Sequence, residues 1–87
     1  RRGMGPKEIE KVIQGKLPGA VVQVLDLTGT SDHWQVTVVS EAFRGKPMLE
    51  QHRLIKGFFE AEIASGNLHA FSLKTYTPEE WAKKSSA

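Results

Sequence analysis

Ile9, Val12, Ile13 and Leu17 recur three and four positions apart, while Lys7, Glu10, Lys11 and Gln14 take the other side. That spacing wraps a helix with one buried stripe and one wet one. It predicts a helix from Pro6 to Lys16: proline suits the first turn, Glu8 and Glu10 suit the positive end of the dipole, and Pro18-Gly19 stops the run. The period then changes. Ala20 to Thr28 is rich in Val and Leu, with polar residues at Gln23 and Asp26, and predicts a strand buried substantially on both faces. His33 to Glu41 alternates, Trp34, Val36 and Val38 on one face and Gln35 and Thr37 on the other. These runs predict a hairpin whose connection, Gly29-Thr30-Ser31-Asp32, is small, polar and expected to be exposed and mobile.

A turn over Phe43-Arg44-Gly45-Lys46-Pro47 launches a long amphipathic stretch, Met48 to Ala64, closed by Ser65-Gly66-Asn67. Met48, His52, Ile55, Phe59 and Ile63 form its apolar stripe. Gly57 costs that helix about 1 kcal/mol relative to alanine, so a kink or a break into two helices is expected near it. Leu68 to Thr75 predicts a third strand. Thr77-Pro78-Glu79-Glu80 supplies a cap, an N-terminal proline and a third-position glutamate for a short helix bearing Trp81. The order is α-β-β-α-β-α, or α-β-β-α-α-β-α with the break. It implies a small α+β domain with a three-stranded mixed sheet packed by helices. The domain is expected over residues 6–82, between a disordered or vector-derived stretch at 1–5 and a flexible tail at 83–87.

Composition adds limits. With 87 residues, 39% hydrophobic and 25% charged, the chain has room for one domain and none for a separate catalytic one. Twelve basic against ten acidic residues give +2, a surplus spread along the chain without a basic block. No apolar run approaches the roughly 20 residues that span a bilayer. A soluble domain is expected, and its compartment, cytoplasmic or organellar (plastid or mitochondrion), stays open.

There are three histidines and no cysteine. His33 and His69 fall where strands are expected to begin, and His69 shares a face with Phe71 and Leu73 by period two. On spacing alone, His69 is either a packed, hydrogen-bonded residue or a metal ligand, and His33 either an exposed loop residue or a ligand. His52, inside the apolar stripe of the long helix, suits a packing or hydrogen-bonding role. Asp26 and Asp32 suit a strand and a turn, and Glu60 and Glu62 the wet flank of the helix. The HExxH and CxxC spacings of self-contained metal sites are missing, as is a nucleophile turn, so catalysis is not expected.

Several separated motifs resemble the BolA family: Val38-Val39-Ser40-Glu41-Ala42-Phe43-Arg44-Gly45-Lys46, then Gln51-His52-Arg53-Leu54, then Leu68-His69-Ala70-Phe71-Ser72-Leu73 and Thr75-Tyr76-Thr77-Pro78-Glu79-Glu80-Trp81. The resemblance covers most of the chain and implies a type II KH-like fold. It also implies partnership with a monothiol glutaredoxin, as a heterodimer holding a [2Fe-2S] cluster in iron-sulfur assembly or iron signalling. Carried over, the family's C-terminal ligand histidine matches His69, and its loop ligand, His or Cys, matches His33, which places the chain in the histidine-type branch. The partner would add its active-site cysteine and a bound glutathione thiol. No group is expected on the isolated chain, which is expected to be a monomer. Gln51 stands where members often have Arg, and Pro47-Met48 replaces the more usual aliphatic pair.

An alternative is a KH-like nucleic-acid-binding transcriptional regulator, with Arg44, Lys46, Arg53 and Lys56 as a positive surface. The loop of a nucleic-acid-binding KH domain reads GxxG. Here it reads Gly45-Lys46-Pro47-Met48, without the second glycine.

Overall fold

A computed structural model describes residues 5–26, 34–66 and 71–86. Along them run α1 (Pro6–Lys16), β1 (Val21–Asp26), β2 (Trp34–Val39), a 3₁₀ turn (Glu41–Phe43), α2 (Met48–Phe58), α3 (Glu60–Ser65), β3 (Phe71–Tyr76) and α4 (Pro78–Ser86). This is the expected order with the long helix broken. The break falls at Phe59, two residues beyond Gly57, where φ −114° and ψ 16° leave the helical region. Phe59 is fully buried and meets Phe71 edge-on, with ring centroids 5.7 Å apart, so packing fixes the position of the break. Gly66, at φ 85°, ends α3 in the left-handed region that glycine adopts without strain. α4 runs on to Ser86, past the boundary expected at residue 82.

The sheet has the order β1-β2-β3. β1 and β2 are antiparallel, from Val21 opposite Val39 to Asp26 opposite Trp34. β2 and β3 are parallel, from Trp34 opposite Phe71 to Val39 opposite Tyr76. One face carries Val22, Val24, Trp34, Val36, Val38, Phe71 and Leu73, onto which pack Ile9 and Ile13 of α1, Ile55 of α2 and Phe59. That single layer of helices on a sheet is the core.

Strand burial departs from expectation in an instructive way. β1 is not buried on both faces: Val21 is 47% and Leu25 57% exposed, because β1 is an edge strand whose outer face has no covering helix along most of its length. β2 is buried almost throughout, Thr37 and Val39 included, because neighbours flank it on both sides. The helical stripe is also shorter than its period suggests. Ile55 and Phe59 are fully buried, whereas Met48 and Ile63 at its ends are exposed. No helix among the described residues is long and apolar enough to cross a membrane.

Candidate functional site

Both histidines expected as metal ligands, His33 and His69, lie outside the described residues. In sequence they stand one and two positions before Trp34 and Phe71. Those two residues are register partners at the first rung of the parallel β2–β3 pair, and Asp26 at the end of β1 is paired with Trp34. One end of the sheet thus gathers the last residue of β1 and the first residues of β2 and β3. The expected mobile loop 29–32 lies outside the described residues as well.

His52 is described, and it sits apart from the strand starts on α2. Its ring is partly buried, and its Nε2 is enclosed with no hydrogen-bond partner. Burial, and then the positive charge of Lys56 one turn along, hold its pKa below the usual imidazole range, so the ring is neutral at neutral pH. A partly buried imidazole whose Nε2 has no partner fits the packing alternative and not the hydrogen-bonding one at that nitrogen. Among the described residues no three of His, Cys, Asp and Glu come together as a metal site.

The basic residues separate into two groups. Arg44 makes a fork of two hydrogen bonds to Glu41, at 2.8 and 2.9 Å, and a third at 3.3 Å to Glu79 at the start of α4. The hydrogen bond from Arg44 lowers the Glu41 pKa, and the two carboxylates raise that of the guanidinium. Arg44 is therefore committed within the chain. Lys46 and Arg53 line one shallow hollow with Glu50 and Leu54, and Arg53 and Lys56 line a second with Glu60 and Ile63. Carboxylates interrupt the positive surface at both places.

Gln51 has a part that the sequence did not announce. Its Oε1 accepts from the buried hydroxyl of Thr75 on β3, and its Nε2 donates to the carbonyls of Phe43 at 3.3 Å and Lys46 at 2.7 Å. One side chain ties the Gly45-Lys46-Pro47 turn to the sheet. Gly45 takes φ 80° in that turn. The only signal in the sequence was that Gln51 departs from the arginine common at its position, and an arginine has no acceptor to offer Thr75.

At the opposite end from the strand starts, a groove of about 560 Å³ opens between the end of α1 and α4, with Leu17, Val21, Val39 and Trp81 among its lining. Trp81 leans on Tyr76, centroids 5.3 Å apart, and Lys84 lies 5.9 Å from the Tyr76 ring.

This arrangement has known counterparts. A crystal structure of a Bol-like protein from Babesia bovis superposes with a TM-score of 0.79 at 29% identity, covering 94% of each chain. The human BolA-like protein 2 is 37% identical over 78 residues, 87% of this chain and 88% of its own length. The DNA-binding transcriptional regulator BolA of Vibrio cholerae is 42% identical over 53 residues, 61% of this chain and 49% of its own. The model of the BolA-like protein family matches residues 14–80, from within α1 to the first turn of α4. Overall fold and sequence both match members of that family, and the chain belongs to the BolA-like family.

Proposed function

We propose that this chain is a non-enzymatic partner of a monothiol glutaredoxin and co-ligates with it a [2Fe-2S] cluster, serving iron-sulfur assembly and transfer or iron and redox signalling. His69 and His33 would hold the cluster from this side, and a cysteine and a glutathione thiol from the other. The observation that carries the reading is the parallel pairing of β2 and β3, with Trp34 opposite Phe71. It puts Trp34 and Phe71, which follow the two histidines by one and two positions in sequence, opposite each other at one end of the sheet.

The donor set fits the group. Imidazole replaces thiolate on one iron of other [2Fe-2S] centres and raises their potential. With no cysteine the chain has no thiolate to offer, so on this reading the two sulfur ligands fall to the partner. When bound, the cluster supplies the electron-transfer and iron-sulfur-donating chemistry. This chain would contribute imidazole nitrogens from the segments that lead into Trp34 and Phe71.

Titrating the chain with a cluster-loaded glutaredoxin tests this reading. The heterocomplex is expected to show visible absorption and circular dichroism distinct from those of the glutaredoxin homodimer, and His69→Ala to abolish the difference. An unchanged spectrum with His69→Ala would remove the ligand assignment.

The name of the Vibrio cholerae relative favours a second reading, a nucleic-acid-binding regulator acting through Lys46, Arg53 and Lys56. It takes second place because Arg44 is engaged by Glu41 and Glu79, and Glu50 and Glu60 dilute the rest. Binding through phosphates would weaken steeply with salt as counterions are released. Fluorescence anisotropy showing no binding to single- or double-stranded DNA at low salt would dispose of it.

A further inference from the structure

β1 is paired on one side only, and its outer edge meets no strand among the described residues. Open edges expose a row of unpaired backbone groups, and proteins usually guard them with lysine, proline or a bulge. The two edges of this sheet differ in that respect. β3 carries exposed Lys74 within it. β1 reads Val21-Val22-Gln23-Val24-Leu25, with no proline and no charge before Asp26, and its register against β2 is unbroken. Its outer face also leaves Val21 and Leu25 about half exposed.

We propose that a second copy of the chain occupies this edge, the two β1 strands pairing antiparallel about a two-fold axis through Gln23. Residues directly opposed in an antiparallel pair point to the same face, so a workable register must match outer-face residues with each other. Centring on Gln23 does so. Val21 then stands opposite Leu25 of the second copy, Leu25 opposite its Val21, and the two Gln23 amides meet between them. On the helix-covered face Val22 stands opposite Val24. Asp26 falls opposite Ala20, so no like charges meet, and a net charge of +2 sets little repulsion against association. The contact is isologous and closes as a dimer. The monomer expected for the isolated chain becomes its dilute limit, and the proposal stands independently of any cluster.

The absence of cysteine makes single substitutions clean reporters. Opposed Cα atoms in an antiparallel pair lie about 4.5–5.5 Å apart, within disulfide reach. Gln23→Cys is expected to form a covalent dimer in a glutathione redox buffer several-fold faster than Ser72→Cys, an exposed control on β3. Sedimentation velocity of the unsubstituted chain is expected to shift from monomer to dimer between micromolar and millimolar concentration, and Leu25→Lys, with unchanged far-ultraviolet circular dichroism, to remain a monomer. A monomer throughout that range, with equal cross-linking of the two cysteine variants, would leave the edge to solvent or to another protein's strand and overturn the proposal.

Discussion

Gln51 and His52 are neighbours on α2 with opposite circumstances. Gln51 spends its amide on three partners, and Gln51→Ala would leave the Thr75 hydroxyl without its acceptor and two carbonyls without their donor. The expected loss is about 1–3 kcal/mol, read from the urea midpoint at unchanged slope. His52 has an enclosed Nε2 and no partner for it. Its folded pKa lies below its unfolded value, so on acidification the unfolded chain takes up the proton first and stability falls with pH. The core-facing residues of β3, Phe71, Leu73 and Thr75, carry no ionisable group to offset that, and Lys56 adds to it. Melting temperatures measured from about pH 7.5 down to about pH 5.5 should therefore fall less steeply in His52→Gln than in the unsubstituted chain. Parallel profiles would place the acid response elsewhere. Sequence pattern put His52 in the packed stripe correctly, but it could not find the role of Gln51, whose partners lie in a turn and on a strand distant in sequence. Side-chain hydrogen bonds of that range leave no periodicity to read.

Local signals read the helical elements well where the cause was local. α1 begins at Pro6 and ends at Lys16 as its spacing and flanking residues predict, and Glu8 reaches back to the Gly5 N–H at 2.8 Å. α4 starts on a reciprocal capping pair, the Thr77 hydroxyl accepting from the Glu80 N–H at 3.2 Å and the Glu80 carboxylate from the Thr77 N–H at 2.9 Å. Thr77→Ala should cost about 1 kcal/mol and fray the first turn, detectable as faster amide exchange at Glu80 and Trp81. Signals failed where the cause was tertiary. Alternation tells which residues share a face but not which strand is central, so β1 looked doubly buried, whereas it is β2 that the sheet order makes central and that is buried almost throughout. The helix break expected near Gly57 is present, and its exact position, Phe59, is set by packing that the sequence does not show.

At the scale of the molecule, the parallel alignment of β2 with β3 connects the fold to the proposed function. A parallel pair needs a long crossover, and α2 and α3 supply it, α2 and Phe59 packing on the covered face of the sheet while the chain returns to its starting end. The sequence could show two histidines at expected strand starts and a family motif around His69. The pairing that brings those starts together is a property of the sheet, and it requires the structure. Whether both imidazoles bind iron is tested most directly by pulsed electron paramagnetic resonance of the reduced heterocomplex, with only this chain carrying ¹⁵N-labelled histidine. The account predicts strong ¹⁵N hyperfine coupling to the cluster, reduced by His33→Ala and by His69→Ala in turn. A reduced [2Fe-2S] spectrum without histidine nitrogen coupling would contradict it.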